Sequence, residues 1–306
     1  MLAFNTTMWW VGSAVAFVIG FLLLPLGINS WRYMFAIGLI PAIIVLVLRR
    51  TVPESARWYA IKGEVGKAQL SEKAVVGLAD DLSKVKKQEV SMRTLFDKRY
   101  IKGTIFFGIA WFAYDVAFYG IGLFNPYILS LLGLTHSLSV LGSALFATVA
   151  ILGALLCVFT VDKLGRKVDT AIGFLGMTVS LLILAYIAYT VPKEAFTVGS
   201  TAALVVSMFI LFEVTQTWGL GTTDFVYGQE LFPTSIRSTG QGWGVTISRI
   251  GAVLSLTTFP TIVALYGLGS GLLFFAIVGG LLGLVVTLLL APETKQKSLE
   301  QLEKGY

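Results

Sequence analysis

Long apolar runs separated by short polar segments dominate the pattern along this chain. A run of about 20 apolar residues is long enough to cross a bilayer as a helix. The segment between the second and third runs, residues 51–102, carries Leu and Val at helical spacing among charges of both signs and predicts short surface helices. The apolar pattern predicts eight membrane-spanning helices, at residues 8–28, 32–49, 103–129, 139–160, 168–190, 199–229, 239–264 and 268–290.

The composition is typical of a membrane protein. Hydrophobic residues make up 56% of the 306 positions, charged residues make up only 13%, and the mean hydropathy is +0.82. A soluble domain usually carries about 25% charged residues. We therefore expect an all-α, multi-pass protein of the cell membrane, with the lipid bilayer as its surroundings.

The basic residues lie almost entirely on one side of the predicted helices. Of the 23 Lys and Arg residues, 20 fall at the end of the second predicted helix, from Arg49 onward, or in the segments that follow the second, fourth, sixth and eighth predicted helices. Arg32 and Lys193 lie on the opposite side, and Arg249 lies inside a helix. The positive-inside rule therefore predicts that both termini and the segment 51–102 are cytoplasmic. Because this topology accounts for the net charge of +6, the charge does not indicate a nucleic-acid partner.

Several kinds of chemistry are missing from the sequence. We find no cluster of metal ligands, no nucleophile with a nearby base and no phosphate-binding glycine loop, so we expect neither an enzyme nor a bound metal or cofactor. The single cysteine, Cys157, excludes an internal disulfide. The first residues lack the basic region of a signal peptide.

Four loops carry residues with a more specific meaning: VPESARW (52–58), VDKLGRK (161–167), GQELFPTSIRSTGQG (228–242) and APETKQKSLE (291–300). In order and position they resemble the signature loops of the major facilitator superfamily, in its sugar porter and phosphate:proton symporter branches. Four such loops in register over the whole chain are far more specific than any one alone. The resemblance implies a secondary transporter that works by alternating access, with two six-helix halves around a site near the bilayer midplane.

The resemblance also aligns the eight predicted helices with helices five to twelve of a twelve-helix transporter. We therefore expect that four N-terminal helices are lacking, through a wrongly chosen start or a truncated gene; a natural eight-helix form is the alternative. The implied domains are residues 1–50 as the end of the N-terminal half, 51–102 as a cytoplasmic linker, 103–291 as the six-helix C-terminal half and 292–306 as a cytoplasmic tail.

Asp115 is an acid inside the third predicted helix, about 18 Å from its cytoplasmic end at 1.5 Å per residue. Trp111 and Tyr119 lie four residues to either side and share its face. A carboxylate at this depth costs about 3 kcal/mol to insert, which favours a role in proton transfer over a neutral acid that only bridges two helices. The stretch WFAYDVAFYG also resembles the seventh-helix motif of phosphate:proton symporters. This implies that Trp111, Asp115 and Tyr119 bind substrate and that Asp115 couples the proton.

A polar stripe in the sixth predicted helix contains Glu213, Thr217, Gly221 and Asp224, spaced by four, four and three residues. We expect Thr217 and Asp224 to contact substrate and Asp224 to take part in proton coupling. Pairing with neighbouring helices is the alternative, and for Glu213 the two stay equally open. Gly219 and Gly221 predict a bend. The phosphate branch has Asn and Thr where this chain has Gly221 and Asp224, which weakens the case for phosphate.

Arg249 lies about ten residues into the seventh predicted helix, in the middle third of the membrane. A buried Arg needs an anionic partner, and Asp115, Asp224 or a bound substrate would supply one. The phosphate branch has a Lys at this place. A purely structural ion pair is the alternative.

The resemblance implies that charged residues in the signature loops form a breakable gate on the cytoplasmic side. Exposed pairs are worth under about 1 kcal/mol, which is enough to bias two states of similar energy. In the last loop Gln296 stands where the family has Gly, so the geometry of that loop stays open. At the outer side, Asn125 and Pro126 predict a break in the third helix, either a hinge or a fixed kink. The gate that the resemblance implies consists of Asp162, Arg166, Glu230, Arg237 and Glu293.

Together these features predict a proton-coupled transporter for a small anion such as phosphate or an organic acid. A sugar or another neutral metabolite is the alternative substrate. The alternative of a different class is a membrane sensor that does not transport, or an inactive fragment. The expected partners are the small-molecule substrate and protons.

Overall fold

The structure is a computed structural model. It describes residues 2–52, 54, 56–61, 63–76, 92–131, 135–192, 199–233 and 236–297, to which all structural statements refer. The regular elements within these ranges are helical, which confirms the predicted all-α class. The α-helices are α1 (Leu2–Leu23), α2 (Ser30–Leu48), α3 (Ala56–Ile61), α4 (Val65–Val76), α5 (Ile101–Ala117), α6 (Asn125–Leu131), α7 (His136–Thr160), α8 (Arg166–Thr190), α9 (Gly199–Trp218), α10 (Leu220–Glu230), α11 (Arg237–Tyr266), α12 (Leu268–Phe274) and α13 (Leu282–Leu290).

Seven helical stretches among the described residues are long and apolar enough to cross a membrane. The first of them, Ala3–Leu48, covers both the first and the second predicted helices. Its 46 residues are more than twice the length that one crossing needs, about 20 residues. Gly27 interrupts it with φ 69°, a backbone conformation that glycine adopts without steric cost. The other six are Ile101–Gly122, Leu138–Thr160, Arg166–Thr190, Gly199–Glu230, Arg237–Tyr266 and Leu268–Leu290.

Packing divides the chain into two compact units, Met1–Leu24 with Met92–Tyr306, and Pro25–Ser91. The second unit contains α2, α3 and α4, and α3 packs against α4. The short helices α3 and α4 thus lie in the segment 51–102, where the sequence predicts surface helices; residues 77–91 of this segment lie outside the described ranges. The domain boundaries at residues 50, 102 and 291 stay predictions.

In the first unit, small residues bring α5 and α11 close together. A Cβ on Gly244 would lie 2.3 Å from the ring of Phe107, and a Cβ on Gly251 would lie 2.5 Å from the Phe112 carbonyl oxygen. Contacts of this kind let helix backbones approach closely inside a membrane, where packing rather than the hydrophobic effect drives association. Helix α1 packs against α7 and α10, and α5 packs against α10 and α13.

Two of the long apolar helices are broken at the places that the sequence indicates. After α5 the chain makes a π-helical turn, Phe118–Gly122, and resumes as α6 at Asn125. Between α9 and α10, Gly219 has φ −78° and ψ −129°, which are not helical angles. The predicted breaks at Asn125 and at Gly219 are therefore confirmed.

Candidate functional site

A cavity of about 90 Å³ lies among α1, α5, α10 and α11. Its polar wall residues are Thr6, Asp115, Asp224 and Arg249. A mainly aromatic wall with few polar groups is typical of sites for small molecules. The aromatic wall residues are Trp9, Trp10, Trp111, Tyr114, Phe118, Tyr119 and Phe225.

Asp115 and Arg249 form an ion pair in the wall of this cavity. The Nη1 of Arg249 lies 3.1 Å from Oδ2 of Asp115 and also donates to Oη of Tyr119 at 2.6 Å. The Asp115 side chain is only 3% exposed, whereas that of Arg249 is 52% exposed. The guanidinium therefore has one side on the acid and the other side open to the cavity.

Asp224 enters the same cavity from α10. Its Oδ1 accepts a hydrogen bond from the backbone N–H of Phe225 at 2.6 Å, and the residue is 4% exposed. The neighbouring Gly221 has a specific use, because a Cβ there would lie 2.5 Å from the Tyr114 hydroxyl oxygen. Gly221 belongs to the cavity wall, and its lack of a side chain leaves room there for Tyr114.

Thr217 does not line this cavity. It is fully buried, and its hydroxyl donates to the Ala150 carbonyl oxygen on α7 at 2.8 Å. The stripe predicted from Glu213 to Asp224 assumed a continuous helix, and the break at Gly219 turns its two halves in different directions. The proposed contact of Thr217 with substrate thus has no support from the geometry.

Sequence reasoning missed a buried hydrogen-bond network beside the cavity. The Tyr114 hydroxyl donates to Oε1 of Gln216 at 2.9 Å, and Nε2 of Gln216 donates to Oε2 of Glu213 at 2.7 Å. Nδ2 of Asn125 donates to Oε1 of Glu213 at 3.1 Å. It also missed Thr6, Trp9 and Trp10 on α1. The signal available was the polar and aromatic cluster NTTMWW within an apolar helix.

The loop charges predicted as a gate meet at one end of the bundle. Arg166 makes a two-pronged contact with Glu230 at 2.8 and 3.0 Å and also pairs with Asp162 at 2.8 Å. Glu293 accepts hydrogen bonds from the backbone N–H groups of Arg166 and Lys167, both at 3.1 Å. It thus lies at the start of α8, where the helix dipole favours an acid.

Arg237 and Gln296 belong to the same signature loops. Arg237 donates from Nε to the Phe232 carbonyl oxygen at 3.3 Å. Gln296 adopts φ 56° and is the only non-glycine residue with positive φ in the described ranges. Its backbone thus takes the left-handed conformation that the family's glycine would supply.

A bundle of long apolar helices is typical of a multi-pass membrane protein, and the mostly aromatic cavity with its charged pair is the candidate site for a small molecule. Within the described ranges no group of three or more His, Cys, Asp or Glu side chains is placed to hold a metal ion. The chain belongs to the Sugar (and other) transporter family, whose profile matches residues 1–306. Its relatives are transporters rather than enzymes.

Individual relatives are similar at low identity. The chain is 29% identical over 301 residues to a putative metabolite transport protein, YaaU, of Escherichia coli, covering 98% of the chain and 65% of that protein. It is 28% identical over 293 residues to the D-xylose-proton symporter of Escherichia coli, covering 91% of the chain and 57% of that protein. The chain thus spans less than two thirds of the length of these relatives.

Among solved structures, the chain resembles the proton:xylose symporter XylE bound to 6-bromo-6-deoxy-D-glucose. The TM-score is 0.76 at 22% identity, covering 99% of this chain and 66% of that one. At this identity the likeness concerns the fold. The major facilitator fold expected from the signature loops is confirmed. The description of the matching family names sugars and other substrates, whereas a small anion was our first expectation.

Proposed function

We propose that this chain acts in proton-coupled transport of a small, uncharged, polar metabolite, with a sugar as the best match, by alternating access. The observation that carries this proposal is the Asp115–Arg249 pair in the wall of the aromatic cavity. Because the chain spans 65% of its first relative, the activity, substrate and partners of the whole protein all belong to the proposal.

The balance of charge in the cavity favours an uncharged substrate. Arg249 is the one cation in the described wall, and it is already paired with Asp115. Asp224 adds a second acid to the same wall. The wall therefore has no surplus positive charge to offer, and an anion would have to compete with Asp115 for Arg249. A neutral molecule avoids this competition.

The wall chemistry suits a sugar. Trp9, Trp10 and Trp111 offer broad apolar ring surfaces, while Asp224 and Arg249 offer an acceptor and donors for hydroxyl groups. A sugar needs a site that combines apolar ring surfaces with a few oriented polar groups. The family match supports the same substrate class.

Proton coupling follows from the competition for Arg249. When Asp115 is ionised, it holds the guanidinium; when Asp115 takes up a proton, the guanidinium loses its charged partner and becomes free to donate to substrate. Substrate and proton would then bind together, which is the behaviour that symport requires. Asp224 is the second acid in the cavity and the other candidate for coupling.

We also propose that the cluster of Arg166 with Asp162, Glu230 and Glu293 acts as the cytoplasmic gate, with Arg237 as its neighbour. Both termini would then be cytoplasmic, as the distribution of basic residues indicates. A two-pronged Arg–carboxylate contact is geometrically specific and can break and re-form as one unit.

The proposal is tested by ligand binding to the purified protein, followed through tryptophan fluorescence. Trp9, Trp10 and Trp111 lie in the cavity wall and report on its occupation. We expect D-xylose or D-glucose to change the emission in a saturable manner, and inorganic phosphate to have no effect. Trp111→Phe should weaken sugar binding about 5- to 30-fold, the loss of 1–2 kcal/mol of contact.

The matched control is Trp31→Phe, since Trp31 is exposed and does not line the cavity. This variant should bind sugar like the wild type. Saturable binding of phosphate without any response to sugars would contradict the uncharged substrate and restore the anion hypothesis.

A further inference from the structure

A second cavity lies beside the first, and Glu213 is part of its wall. It measures about 70 Å³ and is bounded by α1, α7, α9 and the break between α5 and α6. Trp10 and Phe118 belong to the walls of both cavities and pack edge to face, with ring centroids 5.6 Å apart. The two cavities are therefore separated by a shared aromatic partition.

Glu213 is buried without a cation. It is 4% exposed, and within the described ranges no Lys or Arg forms an ion pair with it. Its two carboxyl oxygens instead accept from the side-chain amides of Gln216 and Asn125. Neutral donors offset only part of the cost of burying a charge, and uptake of a proton removes that cost.

The side-chain amide of Asn125 can form a hydrogen bond with Glu213 whether this acid is ionised or protonated. Its Nδ2 donates to Glu213, and its Oδ1 is buried without a hydrogen-bond partner. A half-turn of the amide would exchange the two atoms, so that Oδ1 accepts from a protonated carboxyl group. Gln216 has no such freedom, because its Oε1 already accepts from Tyr114. Protonation of Glu213 would therefore change the orientation of the Asn125 amide and leave that of Gln216 unchanged.

Other titratable groups around Glu213 are few. Helices α1 and α6 contain no charged residue, and α7 contributes only Ser143 and two alanines to this wall. On α5 the neighbours are Tyr114 and then Asp115, and on α10 the nearest acid along the chain is Asp224. The charged residues of α8, which also packs against α9, lie in its first turn.

We propose that Glu213 is a second proton-binding site, separate from Asp115, and that its proton sets the orientation of the Asn125 amide. The second cavity has room for the water that would deliver the proton. Asn125 begins α6 directly after the break, so the proton acts at the joint of the broken helix. This site goes beyond the proposed function, since it needs neither substrate nor a gradient.

The test is infrared difference spectroscopy of the purified protein over a pH series, without substrate. A buried carboxylic acid gives a carbonyl band that grows as the pH falls. We expect such a band in the wild type, its loss in Glu213→Gln, and its retention in Asp115→Asn. The exposed acid Asp97 gives the matched control, Asp97→Asn, which should also keep the band.

Two further variants make the test decisive. Glu213→Asp keeps the acid and should move the band rather than remove it, which covers a failure of Glu213→Gln to fold. Asn125→Leu removes a donor to the carboxylate, so the midpoint of the band should move to higher pH by about one unit. Carbonyl bands in Glu213→Gln that equal those of the wild type at every pH would overturn the site, whereas a band that disappears only in Asp115→Asn belongs to Asp115. An unchanged midpoint in Asn125→Leu would overturn the link to Asn125.

Discussion

Arg249 is the residue in the cavity with two competing uses. Its Nη1 contacts both Asp115 and Tyr119, and the Arg249 side chain, which belongs to the cavity wall, is 52% exposed. Removal of one member of a buried ion pair leaves the other charge without compensation, whereas removal of both members does not. The stability of the pair and its availability to substrate are therefore linked through one side chain.

We predict that Asp115→Asn and Arg249→Gln are not additive. Each single variant should lower thermal stability, and the double variant should lose less than the sum by about 1 kcal/mol. The measurement is thermal unfolding of the four proteins in the same detergent. The exposed pair of Glu64, which directly precedes α4, and Lys67 on α4 is the matched control and should show no measurable coupling. Additive losses at Asp115 and Arg249 would show that the pair contributes no coupling energy.

The charged site residues could be predicted from sequence, whereas their neutral partners could not. Charges are rare in apolar helices, so Asp115, Asp224 and Arg249 stand out by type and depth. Gln216 and Asn125 are neutral, and their importance depends on which helix faces them in the fold. Thr217 and Asp224 lie on opposite sides of the break at Gly219, so a stripe calculated for one straight helix does not place both on the same cavity.

At the scale of elements, the helix breaks organise the molecule. The break at Gly219 lies close to α8, and a Cβ on Gly173 would lie 2.4 Å from the Cα of Gly219. Helix lengths and breaks were predictable, because apolar length, Gly and Pro are local signals. The first two predicted helices form one long apolar stretch, Ala3–Leu48, which Gly27 interrupts. Local sequence signals did not show that the two helices are continuous in this way.

We predict that Gly173→Ala destabilises the protein by about 1–3 kcal/mol, because backbone atoms of α9 cannot move aside easily. Gly242→Ala on α11 is the matched control, since a Cβ there meets nothing within 4 Å. That control should be neutral or stabilising by up to about 1 kcal/mol. Thermal unfolding measures both variants. Equal effects would mean that the close approach of α8 and α9 has no energetic consequence.

At the scale of the whole molecule, transport requires that one end of the bundle opens while the other stays closed. The cluster of Arg166, Asp162, Glu230 and Glu293 joins α8, α10 and the segment after α13. An interaction of this kind biases two conformations only if it is present in one of them. We expect the cluster to be formed when the cytoplasmic end is closed.

We predict that Arg166→Glu or Glu230→Arg alone speeds labelling of a cysteine placed at Phe225, in a Cys157→Ser background, from the cytoplasmic side. The increase should be about fivefold, equivalent to roughly 1 kcal/mol of bias toward opening. The combined charge reversal should restore part of the slow labelling, because the pair can re-form. If the double variant is labelled as fast as the single variants, the Arg166–Glu230 contact is not part of the gate.

The central claim is that the proton taken up by Asp115 drives transport. Uptake of labelled sugar by vesicles that contain the protein, with and without an imposed pH gradient, tests this claim most directly. Asp115→Asn keeps the size and hydrogen bonding of the side chain but fixes it in the neutral form. We predict that the variant inserts and folds, loses accumulation driven by the gradient, and keeps at most exchange of substrate. Accumulation equal to that of the wild type would contradict the claim and point to Asp224 as the coupling acid.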